Sequence, residues 1–377
     1  MKLVVAIDSF KGSLTSLEAG QAVKEAALRL HADTEVVVCP LADGGEGTVE
    51  ALSAGLGGEL VTVTVTGPLL QPVDAVYCHL PDRHTAVIEM SAAAGITLVQ
   101  PHERNPLNTT TYGVGELIAD AIRRGCREFI IGIGGSATND GGVGMLRALG
   151  YDFLDASGNP VPLGAKGLEH LHTVSCEHVL PELSQCRFRI ACDVTNPLCG
   201  PNGCSAVYGP QKGATPDMIE QMDRWLKRYA SLAKTVSDTA DSDYPGAGAA
   251  GGLGFAFLAF TKATLESGIQ IILNETRLED YMQTADLVIT GEGRLDSQTV
   301  MGKAPIGVAR LAKKYGKPVL AFSGCVSDDA AVCNDYGIDA FFPILPGVVT
   351  LEEALDRDNA YRNLYNTAYQ ALRLFTL

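Results

Sequence analysis

Leu3-Val4-Val5-Ala6-Ile7-Asp8-Ser9-Phe10-Lys11-Gly12-Ser13-Leu14 is the stretch that decides the fold. Its apolar run is too short for a secretory leader and reads as a strand, and the chain is expected to stay in the cytoplasm. Asp8 then stands just past the strand, where ligands meet an open parallel sheet. Moving outward, residues 17–30 carry helical periodicity, 35–39 are extended, 48–56 helical and 60–65 extended, which predicts a β-α-β-α-β unit. The last ninety or so residues repeat the theme, with strands at 287–290, 319–323 and 340–344 and helical patterns at 306–314, 329–336 and 351–374. Together the two halves predict an α/β fold, a doubly wound parallel sheet of Rossmann or flavodoxin-like type with helices on both faces.

Between the halves the pattern changes. Gly67-Pro68-Leu69-Leu70 is a turn signal, and 75–80 and 85–90 look like directly paired strands rather than crossover-linked ones. A chain of 377 residues also exceeds the ~250 to 300 at which single cores stop growing. We therefore expect a discontinuous domain of residues 1–66 plus 286–377 and an inserted mixed-sheet α/β domain of residues 67–285, with the active site in the cleft between them. No solenoid repeat, heptad array or low-complexity tract interrupts this organisation.

Composition narrows the function. A formal charge of −15 repels nucleic acid and anionic membrane, so a phosphate ligand must be held by local N–H groups and a few lysines. The longest uncharged stretch, residues 245–261, is rich in glycine and alanine and falls short of the ~20 apolar residues that span a bilayer. Ten scattered cysteines suit reduced thiols better than a disulfide framework.

The most informative motif is Ile130-Ile131-Gly132-Ile133-Gly134-Gly135-Ser136-Ala137-Thr138-Asn139-Asp140-Gly141-Gly142, placed after a predicted strand and before a helical pattern starting near Val143. Glycines open the backbone N–H groups to a ligand, Ser136 and Thr138 add hydroxyls, and a helix N-terminus favours an anion, so the segment reads as a phosphate cradle or as a plain strand-to-helix turn. Gly132-x-Gly134-x-x-Ala137 and Gly246-x-Gly248-x-x-Gly251 also fit the dinucleotide fingerprint. The first places the Asp140 carboxylate where pyrophosphate would approach, and the second does not follow a strand.

Acids recur at predicted strand ends: Asp8, Asp43 and Glu46, Asp193, and Glu292. Phosphoryl transfer to a hydroxyl wants one carboxylate as proton acceptor, others for magnesium, and lysines or N–H groups for the phosphate charge. Asp43 and Glu46 lie among glycines in Ala42-Asp43-Gly44-Gly45-Glu46-Gly47-Thr48, and Arg294 stands between two carboxylates in Gly291-Glu292-Gly293-Arg294-Leu295-Asp296. Lys11, Lys212 and Lys303 sit beside glycines. No P-loop, protein-kinase signature, zinc pattern, metalloprotease His-Glu-x-x-His or hydrolase Gly-x-Ser-x-Gly occurs.

Taken in order, the blocks at residues 8–14, 42–48, 132–142, 192–198, 209–214, 245–252 and 291–298 resemble those of the glycerate kinases of the first bacterial family. That resemblance implies a two-domain enzyme using ATP and Mg2+ to phosphorylate D-glycerate, giving 2-phosphoglycerate. It implies Asp193 as the base with Asp8 as rival, and Lys11 and Arg294 against the substrate carboxylate or the moving phosphoryl group. Ser9, Asp43, Asn196 and Lys212 are then expected at the substrate, and Gly134, Gly135, Ser136, Thr138, Asn139 and Glu292 at the nucleotide. Asp43 and Asp296 are the expected metal ligands. A homodimer is the assembly considered. Two other readings stay open, a kinase of another short hydroxy acid and a catalytically silent sugar-acid sensor on the same fold.

Overall fold

The computed structural model describes every residue but Asp43, Glu46, Thr376 and Leu377. The chain forms two compact units, Met1–Asp43 with Glu50–Gly57 and Ile269–Leu377, and Gly44–Val49 with Gly58–Gly268.

In the first unit, β1 (Lys2–Ile7), β2 (Glu35–Val38), β11 (Leu287–Leu295), β12 (Val319–Val326) and β13 (Ala340–Pro343) form one parallel sheet in the order β13-β12-β11-β1-β2. Leu3, Val4, Val5 and Ala6 have no exposed surface, as befits an unbroken apolar run in a sheet covered on both sides. On one face lie the helices Ser16–Leu30 and Arg357–Phe375, whose alanines and leucines pack against Leu3, Val5, Ile7, Leu287 and Ile289. The helix Ser16–Leu30 starts where it does because Thr15 and Glu18 close a reciprocal capping box. The helix Ala304–Lys314 packs on β11, β1 and β12. From β1 the chain steps to β2 on one side and, later, from β11 outward on the other. The carboxyl ends of β1 and β11 therefore form the topological switch point, the default ligand position in such sheets.

The second unit is built on β3 (Glu59–Thr66), β4 (Pro72–Leu80), β5 (Thr85–Glu89), β6 (Glu128–Gly132), β9 (Arg187–Ala191) and β10 (Ala263–Glu266), ordered β10-β9-β6-β5-β4-β3. The first four in that order are mutually parallel, and β4 and β3 join antiparallel. A small ladder of β7 (Asp152–Leu154) and β8 (Thr173–Ser175) stands apart. The core gathers Phe129 stacked on Phe188 at 4.8 Å, with Tyr229, Phe255 and Phe257 from the helices Pro216–Ala233 and Ala249–Phe260. No described helix is long and apolar enough to cross a membrane.

Three features differ from expectation. The strand at 60–65 is not the third strand of the first sheet: as β3 it edges the second, because the Gly67 turn folds it back on β4 from Glu59↔His79 to Thr66↔Pro72. The compact units divide at 43/44, 49/50, 57/58 and 268/269 instead of the expected 66/67 and 285/286. The strand expected to end at residue 290 runs on to Leu295, since β12 pairs with it as far as Leu295↔Val326. Glu292 and Arg294 thus lie inside β11 and not after it.

Candidate active site

In the first unit, Asp8 and Glu292 each stand one residue beyond the last β1–β11 pair, Ile7↔Gly291. Asp8 is only 5% exposed, its N–H donates to Gly291 O, and its Oδ1 accepts the Ser9 N–H at 2.7 Å. A tight turn closed by Phe10 and Leu14 then carries Lys11 on the surface. Glu292 is 8% exposed and burial pushes its carboxyl up. Its Oε1 accepts the Thr299 hydroxyl at 2.7 Å and its Oε2 lies 3.5 Å from Lys303 Nζ. The same Thr299 Oγ1 accepts the Asp296 N–H at 3.2 Å, while Asp296 Oδ1 lies 3.9 Å from Lys303 Nζ. Thr299 therefore ties the Glu292 carboxylate to the backbone of Asp296, and the Lys303 ammonium lies near both carboxylates at loose distances. Arg294 approaches Asp296 at 3.3 Å but its side chain is 64% exposed, so this pair is largely screened.

The second unit gathers a different set at the carboxyl ends of β5, β6 and β9. β6 ends at Gly132, which has to be glycine because a Cβ there would stand 2.3 Å from Gly44 O. Gly134 and Gly135 follow, both exposed, and the loop is pinned by Ile96 N–H to Gly135 O and Ala137 N–H to Ala94 O. Among the described residues, nothing accepts the N–H groups of Gly134 and Gly135. Below them the chain turns inward: Thr138, Asn139 and Asp140 have no exposed surface. Lys212, 2% exposed, donates from Nζ to Ser136 Oγ at 2.8 Å and to Thr138 O at 2.6 Å, and burial lowers its pKa to about 8. Asn139 Nδ2 donates to Ser205 Oγ at 2.8 Å, while Asn139 Oδ1 and Thr138 Oγ1 are buried with no partner among the described residues.

The helix expected to offer its N-terminus to phosphate spans only Val143–Ala148, and its first N–H groups are already taken. Gly142 and Gly144 donate to the Asp140 carboxylate, as do the N–H and hydroxyl of Thr111 and the hydroxyl of Thr110. This internal anion removes the helix-end part of the cradle and the basis of a dinucleotide fingerprint at this turn. The second glycine block is its packing partner: Gly251, at φ +68°, comes so close to Thr138 that a Cβ would lie 2.0 Å from the carbonyl oxygen, and its own oxygen accepts Gly141 N–H.

Asp193 follows β9 on the surface, with Oδ1 accepting the Gly268 N–H at 3.1 Å. Asn196 has both ends of its carboxamide engaged, receiving the Tyr208 hydroxyl at 2.6 Å and donating to Asn202 O at 2.9 Å. Asp43 lies outside the described residues. Two residues, Glu89 and Thr299, join the candidates, and Lys303 is placed beside Glu292 and Asp296. Glu89 ends β5 and accepts the Val49 N–H at 2.9 Å, and the strand-end rule that selected the other acids would have selected it. Lys303 carries only the weak signal of a neighbouring glycine, and Thr299 carries none.

A sequence model of the glycerate kinase family matches residues 3–376. The chain is 48% identical over 374 residues to a glycerate kinase of Haemophilus influenzae, covering 99% of this chain and 98% of that one. It is 47% identical over 373 residues to a glycerate 2-kinase of Escherichia coli, covering 99% and 96%. A solved crystal structure described as a glycerate kinase 2 from Salmonella typhimurium LT2 is similar over 100% of this chain and 98% of its own, with TM-score 0.92 and 47% identity.

Proposed function

The chain belongs to the glycerate kinase family and is a glycerate kinase using ATP, and from that premise we propose that it phosphorylates the 2-hydroxyl of D-glycerate with Mg2+ as the accompanying cation. The observation that supports the regiochemistry is the 47% identity, over 99% of this chain, to the Escherichia coli protein named a glycerate 2-kinase.

In this proposal Asp193 takes the proton of the attacking hydroxyl. It is the exposed carboxylate at the end of β9, oriented by Gly268 N–H, and a base must reach the proton it removes. Asp8 is the rival, held by the Ser9 N–H and largely buried. Lys11 and Arg294, both at the surface, neutralise the glycerate carboxylate or the phosphoryl group. Ser9 borders the acceptor, and Asn196, its carboxamide taken by Tyr208 and Asn202, shapes the loop after Asp193. The N–H groups of Gly134 and Gly135 and the Ser136 hydroxyl receive nucleotide phosphate, with Thr138 and Asn139 supporting them from inside.

Of the two expected Mg2+ ligands Asp296 lies among the described residues, and Glu292, which shares Lys303 with it, would take the place beside it. Among the described residues no three metal-ligating side chains cluster, and Mg2+ in phosphoryl-transfer sites takes one or two carboxylates, completing its shell with phosphate and water. When bound, the ion would neutralise charge on the phosphates.

The test is ADP release with ATP, Mg2+ and D-glycerate, followed by phosphorus NMR of the product. We expect 2-phosphoglycerate. The 3-isomer would overturn the regiochemistry, and turnover only with another hydroxy acid would overturn the acceptor. Asp193→Asn should lower kcat ~10²-fold or more, and a loss confined to Asp8→Asn would move the base to Asp8.

A further inference from the structure

Lys212 is a cation in the protein interior with no ion-pair partner among the described residues. The Asp140 carboxylate influences it through space, but its two oxygens already receive five donors from Thr110, Thr111, Gly142 and Gly144. Burying an unpaired ammonium is costly, so the fold has to gain something from it elsewhere. The hydrogen-bond directions identify that gain. An ammonium has protons to give and no lone pair, so at 2.8 Å from Nζ the Ser136 oxygen can only accept. The single proton of that hydroxyl is then directed away from Lys212, and among the described residues nothing receives it. Ser136 follows Gly134 and Gly135, whose N–H groups also donate to no described residue. Three consecutive residues at the end of β6 thus offer three donors and no acceptor proton demand, which is the chemistry of a site for anionic oxygen.

We infer that Lys212 is a positioning residue that never touches the ligand: it fixes Ser136 as a hydrogen-bond donor to an anionic oxygen bound at Gly134–Gly135–Ser136. The inference rests on the proposed function only for the identity of that oxygen, a nucleotide phosphate or the glycerate carboxylate. The arrangement includes its own proton dependence. With the Lys212 pKa lowered to about 8, mildly alkaline pH converts the ammonium to an amine whose lone pair can take the Ser136 proton and withdraw the donor from the ligand. The titratable groups facing Lys212 are Asp140 and the Cys204 thiol, which burial pushes up to about 11 and so out of this window.

The experiment is steady-state kinetics on the full-length enzyme and the variants Ser136→Ala, Lys212→Met and the double variant, with KM measured separately for ATP and for glycerate. Each single variant is expected to raise KM for ATP roughly ten- to hundredfold, the value of one charge-assisted hydrogen bond, and the double variant to be no worse than the poorer single one within about twofold. Effects that multiply would overturn the inference, because Lys212 would then act independently of Ser136. Coupled effects on KM for glycerate would uphold Lys212 acting through Ser136 and overturn the nucleotide assignment. Should Lys212→Met not fold, the pH profile of the remaining proteins decides. KM for the anion bound there should rise as pH passes about 8 in the unaltered enzyme and stay flat in Ser136→Ala. A rise that persists in Ser136→Ala, or no rise in the unaltered enzyme, refutes the inference.

Discussion

Asp140→Asn should destabilise the second unit by about 2 to 4 kcal/mol, although it changes one atom. In the native protein Oδ1 accepts Gly142 N–H at 3.1 Å, and Oδ2 accepts Thr111 N–H and hydroxyl at 2.9 Å each, Gly144 N–H at 3.3 Å and the Thr110 hydroxyl at 3.4 Å. Every named partner is a donor, so the site suits an ion even though burial pushes this carboxyl up. Asparagine has one oxygen. With that oxygen at the Oδ2 position its amide faces Gly142 N–H, donor against donor. With the amide flipped, four donors lose their acceptor. The better orientation still loses one charge-assisted bond, worth about 1.5 to 3 kcal/mol, and weakens four others to neutral strength. Relief from burying a charge offsets part of this. Asp140→Ala strips all five donors and should cost more. Urea unfolding followed by tryptophan fluorescence reads the effect in the right place, because the single tryptophan, Trp225, lies in the helix Pro216–Ala233 and packs on the second unit's core. An Asn variant within about 0.5 kcal/mol of the parent, or an Ala variant no worse than the Asn one, would refute the assignment of this carboxylate as the anchor of the glycine-rich segment.

Gly251→Ala should lower stability by about 2 to 5 kcal/mol, combining a left-handed backbone with a Cβ placed 2.0 Å from Thr138 O. Gly158→Ala, left-handed at φ +81° with open space around it, should cost only about 1 to 2 kcal/mol, and equal losses in the two, read by the same unfolding assay, would count against the close approach. Thr299→Val leaves the buried Glu292 without its hydroxyl donor and should lower kcat/KM roughly tenfold or more, whereas Thr299→Ser should restore it. A serine variant as poor as valine in the ADP-release assay would make Thr299 a packing residue.

The parts of the fold that were legible are those in which a local pattern has one physical outcome. The run Leu3 to Ile7 leaves no polar face, and the parallel sheet that hides both faces is what it forms. The place of β3 is not legible, because the alternation of valine and threonine in Glu59–Thr66 suits an edge of either sheet, and its partner β4 is chosen by the turn at Gly67. The extension of β11 through Gly293 and Arg294 carries no strand signal of its own, being set by pairing with β12 residues 31 positions further along, as in Arg294↔Cys325. The same non-locality governs the site. That Asp140 falls before a helix is visible in the sequence. That Thr110 and Thr111 meet it from about thirty residues upstream is not. A lysine beside a glycine reads as a solvated cation, and only the packing of the Pro210–Lys212 turn beneath residues 136–138 makes Lys212 an interior one.

Burial divides the motif residues into two kinds, and this changes what the motifs mean. Gly134, Gly135, Lys11, Arg294 and Asp193 are exposed and can touch a ligand directly. Thr138, Asn139, Asp140 and Lys212 are enclosed, and their hydrogen bonds run to Ser136, Ser205, Thr111 and the backbone of their own loop. A substitution of an exposed side chain of the first kind leaves the backbone beneath it where it is. One of the second kind moves the loop, since a rigid interior transmits a change in shape. The block from Gly132 to Gly142 is therefore a short exposed segment, the one proposed to meet phosphate, followed by the foundation that holds it, and glycine serves both parts: at Gly134 and Gly135 by exposing N–H groups, at Gly132 by admitting a neighbouring carbonyl. Reading such a block as a string of ligands overcounts contacts. Unfolding measured beside KM separates the two kinds: substitution of the exposed side chains shifts KM at constant stability, substitution of the enclosed ones shifts both together, and substitution of Gly135, left-handed at φ +72°, loses stability by its backbone alone.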